Sequence, residues 1–278
     1  MNSTTLEVSI NHRVAVVWLA REAVRNAFNE TSIAELTQAF TELGNDDDVR
    51  AIVLAAKGPA FCAGADLDWM KRMAGYSHDE NRADALRLAT MLRTIYECPK
   101  PVIARVHGDT YAGGIGLIAA CDVAVASFNV TFCLSETKLG LIPATIAPYV
   151  IRAMHPNAAR RYFLTAEKFD AAEAYRIGLV HEITPMEELD GKVNEILGAV
   201  MQTSRSAVAG AKKLVRDMTA RSIDDAVVTD TAQRIADARA SDDGREGVRS
   251  FLERRKPQWV LDYEAMSADE EQPDEEQQ

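Results

Sequence analysis

The feature that most constrains the fold is an alternation of short apolar runs with amphipathic helices in the first half of the chain. Strands are predicted where β-branched runs are bounded by turn-forming residues, over 14–19, 51–55, 101–106, 122–126 and 130–133. Between them, residues 31–43 and 79–96 repeat apolar side chains on one helical face. This alternation favours a wholly or mainly parallel α/β arrangement, because parallel neighbours need a crossover connection.

After about residue 144 the strand pattern nearly disappears, with residues 179–183 as the remaining candidate. Helices are predicted from there on, several with a Ser, Thr or Asp as N-cap, over 156–164, 171–177, 186–201, 205–219, 224–240 and 243–255. We therefore expect an α/β core over residues 1–200 and a helical region over 201–260 that packs on a partner subunit. Residues 261–278 are expected to form a disordered acidic tail.

Charge and composition exclude several classes of function. The formal net charge is −11, and seven acids with no base lie in residues 264–278, so the rest of the chain carries about −4. A protein without a basic surface binds the phosphate backbone of nucleic acids poorly, so no nucleic-acid partner is expected. No apolar run approaches the ~18 residues of a membrane span, and a soluble, cytoplasmic protein is expected. The four cysteines form no C-x-x-C pair, which indicates neither a zinc site nor a disulfide framework.

Two strand-to-helix turns are rich in small residues: Phe61-Cys62-Ala63-Gly64-Ala65-Asp66-Leu67 and Tyr111-Ala112-Gly113-Gly114-Ile115-Gly116. Such turns expose backbone N–H groups and let another backbone or a ligand approach closely. One donor from each turn would make an oxyanion hole for a carbonyl that becomes enolate-like. The alternative is that these residues serve only tight turns and close packing.

Glu136 follows a short strand and precedes an apolar segment, residues 139–143. A carboxyl with apolar neighbours has a raised pKa and can move protons near neutral pH. A surface glutamate or a helix cap remains the simpler alternative at this stage.

Other chemistries receive little support from the sequence. Gly114-x-Gly116-x-x-Ala119 matches a dinucleotide fingerprint, but the helix before the next strand would be cramped and the acid Glu136 lies beyond that strand. The histidines lack metal-ligand spacing, and there is no G-x-S-x-G elbow. Asp66-x-Asp68 is better explained as an N-cap beside a solvated acid than as a metal pair. Cys62 has no visible basic partner. No metal and no cofactor are expected.

Five motifs in their order and spacing resemble the crotonase family, the enoyl-CoA hydratase/isomerase superfamily, over roughly residues 5–260. They are Arg25-Asn26-Ala27-Phe28-Asn29, the two small-residue turns with Ala120-Cys121-Asp122, Ser135-Glu136-x-x-x-Gly140-Leu141-Ile142-Pro143, and the segment 243–257 with Phe251-Leu252-Glu253-Arg254-Arg255-Lys256-Pro257. The resemblance implies a spiral of repeated β-β-α turns, followed by a helical region that builds homotrimers or dimers of trimers. It also implies an acyl-CoA thioester as substrate.

The same resemblance implies roles for individual residues. Ala65 and Gly113 correspond to the backbone oxyanion hole, and Glu136 to the acid/base. The substrate-binding residues it implies are Arg25, Ala27, Ala63, Gly64, Asp66, Leu67, Gly114 and Gly116. Lys256 or a neighbouring arginine is implied as a contact to the CoA phosphates of an adjacent subunit.

One departure from the family pattern leaves the reaction open. Family hydratases commonly use two glutamates, and the first falls at Gly116, which has no side chain. A hydratase that relies on Glu136 is one hypothesis, with branched dicarboxyl-CoA thioesters such as 3-methylglutaconyl-CoA as its substrates and a place in fatty acid or leucine catabolism. A double-bond isomerase with Glu136 as sole base and a non-catalytic acyl-CoA-binding protein are the alternatives.

Candidates to pair with a distal carboxylate are Lys138, Arg72, Arg152 and Tyr149. Candidates for the acyl pocket, with ordinary core packing as the alternative, are Trp69, Met70, Leu134 and Ile142.

Overall fold

The computed structural model describes residues 3–270. The strands are β1 Leu6–Asn11, β2 Val14–Leu19, β3 Ala51–Ala56, β4 Ala60–Cys62, β5 Val102–Val106, β6 Asp109–Tyr111, β7 Val123–Ser127, β8 Thr131–Cys133, β9 Lys168–Asp170 and β10 Glu182–Thr184. The helices are α1 Glu30–Asn45, α2 Leu67–Met73, α3 His78–Glu97, α4 Gly113–Ala120, α5 Ala147–Thr165, α6 Ala171–Arg176, α7 Leu189–Met201, α8 Arg205–Met218, α9 Asp225–Ala240, α10 Asp242–Leu252 and α11 Gln258–Glu270. Short 3₁₀ turns cover Glu22–Val24, Glu136–Leu139 and Met186–Glu188.

The strands form two sheets that the chain visits in turn. The large sheet has the order β1-β2-β3-β5-β7-β10 and is parallel except for the β1/β2 hairpin. The small sheet has the order β4-β6-β8-β9 and is parallel except for the β8/β9 pair. Strands β3, β5 and β7 each enter the large sheet, the next strand enters the small one, and helical segments follow. The chain is therefore an α/β spiral of repeated β-β-α turns, as the family resemblance implies.

The core is formed by the large sheet and the helices that cover it. All six residues of β3, Ala-Ile-Val-Leu-Ala-Ala, are buried, as expected for a central parallel strand covered on both faces. Helix α1 begins at a capping box in which Asn29 and Ser32 satisfy each other's N–H groups, and Ser77 and Glu80 do the same for α3. These caps fix where the two helices begin relative to the strands before them.

The strands predicted between residues 14 and 133 and the two early helices are confirmed to within one or two residues at each end, whereas the candidate over 179–183 corresponds to β10, which begins three residues later. No bounds were predicted for strands β1, β4, β6 and β9 or for helices α2, α4 and α11, although the two strand-to-helix turns and the N-cap at Asp66 implied helices after them. The segment predicted as a helix over 156–164 is the second half of α5, which kinks at His155 (φ 63°) before Pro156. No helix within residues 3–270 is long and apolar enough to cross a membrane.

The chain divides into two compact units between Glu195 and Ile196, compared with the predicted division after residue 200. In the second unit, Ser204 caps α8 and its hydroxyl donates to Asp243 Oδ2 at 2.6 Å. The expectation that residues 261–278 are disordered is wrong for 261–270, which lie in α11. Residues 271–278 lie outside the described part of the chain, and disorder there stays a prediction.

Candidate active site

The carboxyl ends of three parallel strands of the small sheet meet at one edge. Cys62 at the end of β4 pairs with Thr110 of β6, and Tyr111 at the end of β6 pairs with Cys133 at the end of β8. The segments that leave these three strands are residues 63–66, 112–113 and 134–136. The register of the small sheet thus gathers both predicted turns and Glu136 at the same edge.

The first turn is held by backbone hydrogen bonds to residues 25–28. The Ala63 N–H donates to Arg25 O at 2.9 Å, the Phe28 N–H to Gly64 O at 2.7 Å, and the Asp66 N–H to Phe28 O at 2.8 Å. Ala65 forms an isolated parallel bridge with Phe28 in which its own N–H takes no part. Within residues 3–270 the Ala65 N–H has no protein acceptor, so it is available to a ligand.

The second turn is sharp and strained. Ala112 has φ 47° and ψ −117°, a conformation that a residue with a Cβ rarely adopts. Its N–H donates to Cys133 O at 2.9 Å and its carbonyl accepts from the Ile115 N–H at 2.9 Å, and these bonds hold the strain in place. This turn lets α4 begin at Gly113, directly after β6. Gly113 is the first residue of α4, so its N–H has no intrahelical acceptor, and no other acceptor is found among the described residues.

The glycines of the two turns are required by close approach of their neighbours. A Cβ at Gly64 (φ 89°) would lie 3.2 Å from Ala112 Cβ, so the two turns are in contact. A Cβ at Gly113 would lie 2.8 Å from Phe28 Cε2, and one at Gly114 would lie 2.8 Å from Cys62 Cβ. Phe28 thus bridges Ala65 through its backbone and touches Gly113 with its ring. The structure brings the two predicted N–H donors to one place around Phe28.

Glu136 begins the 3₁₀ turn that follows β8, and the N-cap residue Ser135 makes no side-chain capping hydrogen bond. The Glu136 side chain is half-buried. Its Oε2 is buried and, within residues 3–270, has no hydrogen-bond partner. Burial raises the pKa of the Glu136 carboxyl above its ordinary value, and a hydrogen bond from its own N–H lowers it only in part. Glu136 is therefore not a fully exposed surface glutamate. It is a carboxyl group with an unused acceptor, poised for proton transfer.

The residues predicted to bind CoA are of two kinds. Ala63, Gly64 and Ala27 are placed by backbone contacts, and the Ala27 carbonyl accepts a hydrogen bond from Arg21. The Arg25 side chain is exposed and has no carboxylate partner in the described part of the chain, and Leu67 is 73% exposed. An unpaired guanidinium and an apolar side chain facing solvent are both suited to an external ligand.

Asp66 has a structural role that the sequence predicts in part. It caps α2 by accepting from the Asp68 and Trp69 N–H groups and pairs with Arg21 at 2.8 Å. Asp68 is solvent-exposed and pairs with Lys71, so the N-cap interpretation of Asp66-x-Asp68 is confirmed. No group of three His, Cys, Asp or Glu side chains suited to a metal ion occurs among residues 3–270.

Asn26 was given no role of its own from the sequence, and Trp69 was a candidate for the acyl pocket only. Asn26 is buried in the left-handed conformation (φ 55°), and its amide donates to Lys57 O and Ala60 O while its Oδ1 accepts from the Arg21 N–H. It ties the loop before α1 to the segment that leads into β4. The preference of Asn for positive φ was the one available signal. Trp69 is 4% exposed, and its Nε1 is a buried donor without an acceptor within residues 3–270.

Two other candidates do not fit the roles considered for them. Cys62 is fully buried, and burial raises its pKa to about 12, so it is not a reactive thiolate. Gly114 and Gly116 lie inside α4 instead of in a turn before a helix, which is not the geometry of a dinucleotide fingerprint. Gly116 also has Ile146 packed against it.

Comparisons with known proteins show which family this chain resembles in sequence and fold. The family model for enoyl-CoA hydratase/isomerase matches residues 9–261. A crotonyl-CoA hydratase from Syntrophomonas wolfei is 30% identical over 250 residues, which cover 89% of this chain and 95% of that protein. The crystal structure of an enoyl-CoA hydratase from Shewanella pealeana is 40% identical, with a TM-score of 0.91 over 93% of this chain and 97% of that one. AtuE from Pseudomonas aeruginosa is 32% identical, with a TM-score of 0.89 over 92% and 100%. The chain belongs to the enoyl-CoA hydratase/isomerase family.

Proposed function

We propose that the protein is an enoyl-CoA hydratase, which adds water across the 2,3 double bond of an enoyl-CoA thioester. The observation that carries this proposal is the buried Oε2 of Glu136, without a partner among residues 3–270, at the same sheet edge as the available N–H groups of Ala65 and Gly113. The names of the crotonyl-CoA hydratase and enoyl-CoA hydratase relatives support it.

In the proposed mechanism, Glu136 is the single acid/base. As the oxygen of water bonds to C3, the Glu136 carboxylate takes its proton and the π electrons move onto the thioester oxygen. The N–H groups of Ala65 and Gly113 hold that oxygen as an enolate, and each preorganised donor of this kind contributes about 3 kcal/mol. The carboxyl group then gives its proton to C2, so one water is added and Glu136 returns to its starting state. The raised pKa of Glu136 suits a group that both takes and gives a proton near neutral pH.

The CoA portion of the substrate is proposed to lie along the first turn and the loop before α1. We assign Ala63, Gly64, Asp66 and Leu67 to its backbone and apolar contacts, with Ala27 beside them. Gly114 and Gly116, which the resemblance also implies as substrate-binding residues, are buried inside α4 and are not assigned a contact to CoA. The Arg25 guanidinium is suited to a CoA phosphate, since no carboxylate of the described chain pairs with it. Lys256 pairs with Glu264 at 2.7 Å, so a contact to CoA of an adjacent subunit would compete with that ion pair. No cofactor beyond the CoA of the substrate is needed.

An isomerase is the second candidate, and Gly116 favours it. Position 116 has no side chain, and a single base is enough to move a proton between the α and γ carbons. A protein that only holds acyl-CoA would not need a buried carboxyl oxygen without a partner among residues 3–270, since such an atom costs stability.

A branched dicarboxyl acyl group such as 3-methylglutaconyl remains our proposal for the substrate. Of the four residues considered to pair with a distal carboxylate, Arg72 already holds Glu30 at 2.7 and 2.9 Å. Lys138, Arg152 and Tyr149 are the remaining candidates. The Arg152 guanidinium donates to the Pro148 carbonyl at 3.0 Å, and Tyr149 stacks edge-on with Tyr96.

A homotrimer or a dimer of trimers is proposed for the assembly. The second unit carries large apolar side chains that are more than half exposed: Val215, Ile223, Val228, Val248, Phe251 and Leu252. Exposed apolar surface of this kind is typical of subunit contacts, and a second copy of the chain is the proposed partner. Light scattering on the purified protein tests this, and a monomer at micromolar concentration would contradict it.

The decisive experiment for the function is mass spectrometry after incubation in deuterated water with crotonyl-CoA and 3-methylglutaconyl-CoA. Gain of one heavy water establishes hydration, and the relative rates rank the acyl groups. Deuterium uptake without gain of water would establish the isomerase instead. If every thioester tested were unchanged, the hydratase proposal would be overturned for those acyl groups.

A further inference from the structure

Position 116 is closed to any side chain by the packing around it. Gly116 is buried in α4, and a Cβ built there would lie 2.3 Å from Ile146 Cγ2 and 2.8 Å from Ile146 Cβ. Leu92 Cδ2 of α3 would be at 3.7 Å, an ordinary contact. Real Cβ atoms essentially never come closer than 3.0 Å to such atoms, so Ile146 alone makes the position glycine-only.

Ile146 has little freedom to move away. It is 1% exposed and lies at the N-terminus of α5, where its carbonyl accepts hydrogen bonds from the Tyr149 and Val150 N–H groups at 3.0 Å each. The Pro143 carbonyl accepts from the Ala147 N–H at 3.0 Å and fixes the chain just before the helix. The Cβ atom that blocks position 116 is bonded directly to this fixed backbone, so no change of rotamer moves it. The Cγ2 atom moves only by rotation about χ1, which is restricted in a β-branched side chain.

We infer that Ile146 is the residue that restricts this site to one carboxylate, because its side chain fills the space that a side chain at position 116 would need. Helix α4, which begins at Gly113, therefore has the Ile146 side chain packed against position 116, one turn after Gly113. Glu136 then acts without a second carboxylate. The functional part of this inference rests on the proposed acid/base role of Glu136, whereas the packing part does not.

The packing is tested by melting temperatures of a double-mutant cycle in the full chain. Gly116→Ala is expected to lower the melting temperature by about 5 °C, because overpacking a buried site is destabilising. In the Ile146→Ala background the same change is expected to cost about half as much, since the 2.3 Å contact with Cγ2 is gone while the 2.8 Å contact with Cβ stays. Ile146→Val keeps Cγ2 and is the matched background in which the full cost should persist. Gly191→Ala in α7, where no described atom lies within 4 Å of the added Cβ, is the control glycine and should not lower the melting temperature.

If Gly116→Ala costs nothing, the packing inference is wrong. It is equally wrong if the cost is the same in the natural protein and in the Ile146→Val and Ile146→Ala backgrounds. None of these measurements involves turnover, so this failure is separate from any failure of the proposed function. If Ile146→Ala does not fold, the Ile146→Val background and Gly116→Ala alone still decide whether position 116 is closed.

The single-carboxylate part is tested by the pH dependence of kcat/KM with crotonyl-CoA. The natural enzyme is expected to show one carboxyl ionisation on the acid limb. Gly116→Glu with Ile146→Ala should show two coupled ionisations and at least tenfold more hydration than Gly116→Glu alone. Two ionisations in the natural enzyme, or equal activity of Gly116→Glu with and without Ile146→Ala, would overturn this part. Absence of hydration by every variant would instead count against the proposed function.

Discussion

The large sheet and the carboxyl edge of the small sheet differ in how completely their groups are packed and paired. Strand β3 is buried along its whole length and pairs in register with β2 and β5. At the edge of the small sheet, Ala112 is strained, and within residues 3–270 two N–H groups lack acceptors and the buried Glu136 Oε2 lacks a partner. The strain at Ala112 and the buried Oε2 cost stability, and the groups at this edge are the ones that the proposed mechanism uses. The comparison contrasts a fully packed scaffold with an edge where part of that packing and pairing is missing.

Replacing Glu136 should produce the largest effect on activity. Glu136→Gln keeps the shape of the side chain but removes the base, and we expect kcat to fall by about 10³-fold, within the range for positioned acid–base groups. Binding of a CoA thioester should change little. Turnover assays and calorimetry test this, with Glu188→Gln, a substitution on an outer 3₁₀ turn, as the control. Turnover at the natural rate would remove Glu136 from the mechanism.

Glu136→Gln should also change how the stability of the protein depends on pH, because the edge of the small sheet holds a buried carboxyl group. Because burial raises the folded-state pKa of Glu136, the folded state favours the protonated form. The stability from this preference is full below the unfolded pKa, near 4.5, and is lost as pH rises through the folded pKa. Glu136→Gln should therefore be at least as stable as the natural protein at pH 8, and its advantage should shrink at pH 4. The reverse trend in melting temperature would contradict the buried-carboxyl description.

Removing one backbone donor should give the second largest effect. Gly113→Pro deletes the N–H, and we expect a loss of about 10²–10³-fold in kcat. Gly113→Ala keeps the N–H but brings a Cβ to 2.8 Å from the Phe28 ring, so both variants are best made together with Phe28→Leu. The ratio of the kcat values of the Gly113→Pro and Gly113→Ala variants then measures the contribution of the Gly113 N–H alone. Equal kcat for the two would rule out the Gly113 N–H as an oxyanion donor.

A core substitution in the large sheet should have the opposite profile. Leu54 is fully buried in β3, and Leu54→Ala should lower the free energy of unfolding by about 2–5 kcal/mol. The kcat of the folded fraction should stay within about twofold, because Leu54 belongs to the large sheet and not to the proposed catalytic edge of the small one. Ile10→Ala on the edge strand β1, where the side chain is 47% exposed, is the control with a small effect. A large loss of kcat at full folding would break the division between scaffold and edge.

Loss of the cap at Asp66 should give the smallest effect. Burial raises the pKa of Asp66, but hydrogen bonds from the Trp69 and Asp68 N–H groups and from Arg21 outweigh it, so the pKa lies below its ordinary value. Its stabilising contribution is present above the unfolded pKa of 3.8 and is lost as pH falls through the folded pKa. Asp66→Ala should cost about 1 kcal/mol of stability near neutral pH, and Asp66→Asn less, since Asn still caps a helix. An equal cost at pH 7 and pH 2 would contradict this.

Local sequence patterns were sufficient for most of the longer elements, with the six-residue strand β1 as an exception. Strands β2, β3, β5 and β7 and helices α1 and α3 follow directly from β-branched runs and amphipathic faces. Strands β4, β6 and β9 have three residues each, too few for a periodic pattern, and they are strands only because neighbouring segments pair with them. The disordered tail was predicted to begin at residue 261, which is too early in the chain, because acidic composition does not indicate whether residues 261–270 belong to a helix.

The sequence by itself determined the mainly parallel α/β arrangement, the residues of the two turns and the position of Glu136 after a strand, because these depend on residue type and spacing; the spiral of β-β-α turns was implied by the family resemblance. Only the tertiary structure decided that the two turns meet around Phe28, that Glu136 Oε2 is buried with no partner among residues 3–270, and that Ile146 closes position 116. These facts depend on distances between residues far apart in the chain. Such distances follow from how the strands of the small sheet pair, which no local pattern in the sequence specifies.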